Sequence, residues 1–224
     1  TIFYRKEDVY PWRNNRELSL NRKPLIVYEN KIIFGYRTLI SSVYFLFDLI
    51  NNATLKAHSK KMKNYISKIS EKRGNDFNDL VYNYLCSFEH LIVDKKVSKI
   101  NGKKIVDDKN NDLGDIDVLY ISTKKRTITI GEVKNFELSR NMYEIYNEYL
   151  KMFDFDNNKS FYNKHMRRVT WCKNNIDDII NHYNLKKTKW KIDYCFIVNN
   201  PLVSNKALKI NIKTYTIEEL DKHL

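Results

Sequence analysis

The sequence is poor in residues that staple or ligate. Its three cysteines, Cys86, Cys172 and Cys195, are odd in number and far apart. That argues against a disulfide framework and a thiolate zinc site, and points to a reducing, cytoplasmic setting. The five histidines form no HxH or HExxH pair, so none is spaced like a metal ligand. The longest apolar stretch, Thr38 to Phe47, is closed by Arg37 and Asp48. It is too short to cross a hydrocarbon core of about 30 Å, so no membrane span or membrane partner is expected. The N-terminus lacks the basic, apolar, small-residue succession of a secretory signal, and no repeat or low-complexity linker occurs. The chain starts at Thr1 rather than Met, which leads us to expect a processed chain or a piece of a longer parent with further domains.

What is present is ordinary in amount and biased in sign. The 224 residues are 42% hydrophobic and 30% charged, as in a soluble globular protein. Forty Lys and Arg against twenty-seven Asp and Glu leave a net charge of +13, which favours an acidic partner, most simply a phosphate backbone. Compositional drift toward Lys, Asn and Ile would give the same excess, so charge alone does not decide between the two.

Glycine divides the chain unevenly: only Gly35 lies in the first seventy residues, whereas Gly74, Gly102, Gly114 and Gly131 follow. A boundary near residue 70 is expected, with 1–70 a mainly helical accessory extension and 71–224 an α/β domain. In the extension, Tyr36 to Ile50 and the basic stretch Leu55 to Ile69 read as helices. Asn75 or Asp76 is expected to cap a helix to about His90, with Phe77, Val81, Tyr84, Leu85 and Phe88 on one stripe. Asn101-Gly102 marks a tight hairpin within Val97 to Val106. Ile116 to Ser122 and Thr127 to Lys134 read as an antiparallel hairpin. Helices over Ser139 to Asp154 and Ser160 to Tyr183 come next. Strands over Lys191 to Val198 and Leu208 to Tyr215 follow, then a helix opened by the capping box Thr216-Ile-Glu-Glu219.

The chemistry concentrates in the middle hairpin. A turn through Lys124 and Lys125 places Asp117 opposite Glu132 on one face of the sheet. Lys134, two residues on, shares that face about 7 Å further along. Leu119, Ile121, Ile128 and Ile130 line the same face, so two carboxylates and an amine stand at the end of a core-facing surface. Facing carboxylates repel unless a cation sits between them. Oxygen ligands at this spacing suit Mg²⁺ completed by water and substrate phosphate. A turn one residue longer would move Asp117 to the other face. Alternatively, Glu132 and Lys134 form an exposed edge pair.

Gly114-Asp-Ile-Asp117-Val-Leu followed by Ile130-Gly-Glu132-Val-Lys134 resembles the PD-(D/E)XK, or restriction-endonuclease-like, nuclease superfamily. The resemblance covers about 71–224 and implies an αβββαβ core, with a mixed central sheet flanked by helices, that hydrolyses phosphodiester bonds with Mg²⁺ or Mn²⁺. It implies Asp117 and Glu132 as metal ligands, Lys134 as the residue that positions the attacking water, and DNA as the substrate. Many members place a glutamate on the preceding helix, in a pattern like Gly-x-x-Phe-Glu. Here Gly74-Asn-Asp-Phe77 runs into Asn78, so that acid is absent or displaced to Asp79, with Glu89 a weaker candidate.

Beyond the hairpin, Arg140, Glu144 and Glu148 lie on one expected helix, and Lys164, His165, Arg167, Arg168 and Lys173 on the next. Helical spacing groups Lys164, Arg167 and Arg168 as phosphate-positioning candidates, or equally as a solvated basic face. Val169, Trp171, Cys172, Ile176 and Ile180 read as core. Three functions remain open at this point: a metal-dependent endonuclease, a catalytically silent nucleic-acid-binding or interaction domain, and a regulatory or targeting module of a larger defence or mobile-element protein. Cutting both strands of a duplex calls for two sites, so a homodimer is an open expectation.

Overall fold

The computed structural model describes residues 20–139 and 141–224; the first nineteen residues and Arg140 lie outside the described set. Backbone contacts divide the chain into two units, 1–73 and 74–224.

In the first unit, β1 (Ile26–Tyr28) and β2 (Lys31–Ile33) pair antiparallel. Glu29 and Asn30 form their turn at φ 44° and 58°, the left-handed pair that a two-residue hairpin needs. This strand pair adds a β-hairpin to the mainly helical extension expected for the region. The helix α1 (Tyr36–Asn51) follows, with no buried residue.

The helix α2 (Lys60–Cys86) carries residues of both units. The expected break at Gly74 and the cap at Asn75 or Asp76 do not occur. One glycine costs a helix only about 1 kcal/mol relative to alanine, and the Asn75 side chain accepts from Lys96 Nζ at 3.0 Å instead of capping. The C-terminal part of α2 buries Phe77, Val81 and Leu85.

The second unit is mixed α/β. Its strand β3 (Leu91–Val97) is an addition to the expected elements. The small hairpin of β4 (Lys99–Ile100) and β5 (Lys103–Lys104) turns at Asn101-Gly102 as expected, at φ 49° and 78°. Next come β6 (Ile116–Ser122), β7 (Thr127–Lys134), α3 (Met142–Met152), α4 (Phe161–Asn174) and α5 (Ile176–His182). The chain finishes with β8 (Lys191–Val198), α6 (Val203–Ala207), β9 (Thr214–Tyr215) and α7 (Ile217–Leu220). The single helix expected from Ser160 is interrupted at Asn175, whose backbone leaves helical values and whose Nδ2 donates to Trp171 O at 2.8 Å. The strand expected from Leu208 shrinks to its last two residues behind α6. The capping box of Thr216 and Glu219 is present.

Five strands form one mixed sheet in the order β3-β6-β7-β8-β9, with β3, β6 and β7 antiparallel and β8 and β9 running parallel to β7. On one face, Leu119, Ile121, Ile128 and Ile130 pack against Val169 and Cys172 of α4 and Ile179 of α5. On the other, Val118, Tyr120, Val133 and Ile197 meet α2 and Leu220. A third cluster joins Met152 and Phe153 to Phe196, Val198 and Leu202. Both faces are covered, so the charged end of β6 and β7 sits between a buried core and a helix.

Candidate active site

The β6–β7 register is the expected one. Ser122 pairs with Thr127, Ile121 with Ile128 and Val118 with Gly131, and the loop of Thr123 to Arg126 closes with Arg126 at φ 51°. Gly131 permits the tight approach, because a Cβ there would lie 2.6 Å from Val118 Cγ1. The ladder ends at that pair. Beyond it the Asp117 carboxylate takes over, accepting from the Val133 amide at 2.9 Å through Oδ2. The same oxygen accepts from Lys134 Nζ at 3.0 Å, and that amine stands 2.8 Å from Glu132 Oε1. The expected trio therefore converges on one ammonium group.

Two further residues come from α4. The Arg168 guanidinium bonds Glu132 Oε2 through Nη1 and donates through Nε to Leu113 O at 2.9 Å. It ties the loop before β6 to the end of β7. Helical spacing groups it with Lys164 and Arg167 as a phosphate contact or a solvated basic face; it is buried, at 9% exposure. His165 is fully buried, with Nδ1 3.5 Å from Glu132 Oε2, and among the described residues neither ring nitrogen has a hydrogen-bond partner. Its ring packs edge-on against Phe196, 4.9 Å between centroids. The signal for both was available, since His165, Arg168, Val169 and Cys172 share one helical stripe and two of the four read plainly as core.

The electrostatics separate the two acids. Burial and the charge of Glu132 raise the Asp117 pKa, against the pull of Lys134 and the Val133 amide. Burial also opposes ionisation of Glu132, but Lys134, His165 and Arg168 outweigh it and hold this carboxyl well below its ordinary range. Burial works against the Lys134 ammonium too, yet Glu132 and Asp117 keep its pKa above the usual lysine value. Lys134 is accordingly a donor and not a proton acceptor near neutral pH. Its Nζ also lies 5.1 Å from the centre of the Phe161 ring.

A family model for the anti-phage protein Upx-like family matches residues 3–210. The chain belongs to that family. No curated protein and no solved structure gives a match.

In this Upx-like chain, the remaining expected site residues are dispersed. Asp79 pairs with Lys95 at 2.6 Å, its side chain half exposed, and that partner lowers its pKa. No hydrogen bond or ion pair joins it to the trio among the described residues. Asn78 occupies the place where the resemblance implies a glutamate. It is buried, and among the described residues its Oδ1 has no hydrogen-bond partner. Glu89 is exposed. On α4, Arg167 is exposed and donates to Asn158 O at 3.2 Å, and Lys164 is half-buried. Arg140 falls outside the described residues.

Among the described residues no cluster of three or more His, Cys, Asp or Glu is placed to hold a metal. A divalent ion would therefore rest on Asp117 and Glu132, with water and substrate oxygens completing its shell. That donor set fits Mg²⁺, which binds through one or two carboxylates and retains water. Among the described residues the hydrogen bonds to the Asp117 carboxylate are accepted by Oδ2, and burial together with the charge of Glu132 raises its pKa. No described helix is long and apolar enough to cross a membrane.

Proposed function

We propose that the second unit is a metal-dependent phosphodiesterase of the PD-(D/E)XK type, acting on nucleic acid in phage defence, with DNA the substrate that the resemblance implies. The observation that carries this reading is the meeting of Asp117, Glu132 and Lys134 at the open end of one hairpin. The order α2, β3, β6, β7, α4, β8, with β8 parallel to β7, agrees with the αβββαβ core of such enzymes and supports the same reading. Asp117 and Glu132 would hold Mg²⁺ or Mn²⁺, which when bound supplies Lewis acidity toward phosphate and water.

The protein's own part is orientation and charge. Lys134, held protonated by two carboxylates, donates to and positions the attacking water. The Val133 amide and Lys134 aim the Asp117 carboxylate, and Arg168 fixes Glu132. The test is cleavage of labelled single-stranded, duplex and branched DNA and of RNA, with Mg²⁺, Mn²⁺ or EDTA, comparing wild type with Glu132→Ala and Lys134→Ala. Metal-dependent cutting lost in both variants supports the reading; intact substrates under every condition overturn it.

A second reading has a specific observation behind it. Lys134 and Arg168 between them occupy both oxygens of Glu132, and Asn78 stands in place of an acid. A site neutralised in this way could bind nucleic acid without cutting it. Undiminished, salt-sensitive binding without cleavage by wild type and both variants would favour that silent module.

A further inference from the structure

A cavity of about 390 Å³ opens between α3 and α4, within the ~300–1,000 Å³ range of small-ligand sites. Its lining brings Lys151 of α3, Lys159 of the connecting loop and Lys164 of α4 together with Asn147 and Asn157, and no acid lines it. None of the three amines forms an ion pair among the described residues. Like charges gathered on one concave surface repel one another until an anion enters. Phe161 lines the same cavity. Its ring lies 6.0 Å from Lys164 Nζ on the cavity side and 5.1 Å from Lys134 Nζ at the acidic trio. One aromatic ring is thus shared between the cavity and the candidate active site.

We infer that this cavity is the track of a single polynucleotide strand, with Lys151, Lys159 and Lys164 on successive phosphates and Phe161 stacking the base beside the scissile bond. The three amines supply the charge complementarity that a phosphate backbone requires. An aromatic platform next to a basic groove is the arrangement that binds unpaired bases without reading their sequence. A duplex hides its base faces from a side-chain ring, so the strand is single at this point. The inference rests on the nuclease reading only for the path of the strand toward the trio; binding in the cavity does not need cleavage.

The test uses the full chain in EDTA and fluorescein-labelled single-stranded DNA, single-stranded RNA and duplex DNA, each about 12 nucleotides long, in keeping with the site sizes of single-strand binders. Fluorescence anisotropy is followed across a salt series. The cavity variant Lys151→Ala/Lys159→Ala/Lys164→Ala is compared with Lys186→Ala/Lys187→Ala/Lys189→Ala, which removes the same charge from exposed positions elsewhere. For the single strands the cavity variant is expected to lose about tenfold or more in affinity, with a log–log salt slope shallower by roughly 2. The control variant should shift by less than about threefold, as distant screened charges do. Phe161→Leu, which keeps an apolar side chain, is expected to weaken single strands by roughly fivefold or more and to spare duplex.

Equal losses in the two triple variants, or no binding of any single strand by wild type, overturn the inference. The nuclease reading fails separately. Cavity-dependent binding without metal-dependent cutting keeps the track and removes the enzyme. Cutting with the cavity variants binding as wild type does the reverse.

Discussion

Two buried glutamates of the second unit have opposite surroundings. Glu132, 2% exposed, faces Lys134 and Arg168, with His165 nearby. Glu148, 5% exposed, is held by neutral donors: Ser139 Oγ at 2.7 Å, the Ser204 amide at 2.7 Å and Ser204 Oγ at 2.6 Å. Among the described residues these partners are fixed neutral dipoles, which clamp Glu148 between α3 and α6. The partners of Glu132 are whole charges, for which a metal ion or a phosphate can compete. Burial of a carboxylate therefore does not distinguish a site from a staple; the character of its partners does.

The comparison is most sharply broken by Glu132→Gln, which leaves Arg168 without its buried counter-charge and Lys134 with Asp117 alone. Loss of a buried charge partner typically costs about 3–5 kcal/mol. We expect that loss in urea unfolding, with cleavage reduced at least ~10²-fold, as when a preorganised electrostatic group is removed. Gly131→Ala follows. Its Cβ would overlap Val118, and overpacking of this kind costs about 1–3 kcal/mol. The added change Val118→Ala should recover part of the stability, and no recovery would mean that the approach of β6 and β7 is not what Gly131 secures. Glu148→Gln is expected to cost about 1–2 kcal/mol, the scale of a weakened charge-assisted hydrogen bond, with cleavage per folded molecule unchanged. A matching fall in cleavage would erase the contrast between the two glutamates.

Acid titration provides a finer test. The folded-state pKa of Glu132 lies below its ordinary value of 4.5, so its contribution is fully present above that value and is lost as pH falls below it. Asp117 runs the other way: its raised pKa means that stability declines as pH rises through the ordinary value of 3.8. In EDTA, Glu132→Gln should flatten the acid side of the urea-midpoint profile between about pH 3 and 5, and Asp117→Asn should steepen it. The smallest effect belongs to Asp79→Ala. Its exposed pair with Lys95 is expected to contribute nothing measurable to the urea midpoint, and cleavage should persist. A collapse of cleavage with folding intact would instead make Asp79 the third acid.

The hairpin register was legible because alternation and loop length are local properties of twenty or so residues, and they bring Asp117, Glu132 and Lys134 together without tertiary information. The continuity of α2 is hidden because Gly74-Asn75-Asp76 carries every mark of punctuation, and only packing of the later turns against the sheet decides that the helix continues. Strand β3, Leu91 to Val97, has Asp94, Lys95 and Lys96 at its centre, which hides its apolar residues from any period-two reading. Charge alone marks Arg168 as a phosphate contact or part of a solvated face. Its neighbours Val169 and Cys172 mark the inward face of α4, but only the fold shows that a carboxylate waits there.

The separation of the trio along the chain also bears on how the site assembles. Asp117 and Val133 are 16 residues apart, whereas Arg168 reaches Glu132 across 36. Closing the shorter loop loses less chain entropy, so the hairpin is expected to form before α4 docks. During that interval the two carboxylates face each other without Arg168, and Lys134, carried on the hairpin itself, is the cation at hand. The lysine proposed to position water would thus also act as an internal counter-ion for nucleation of the site, and Lys134→Ala should slow refolding more than Arg168→Ala does.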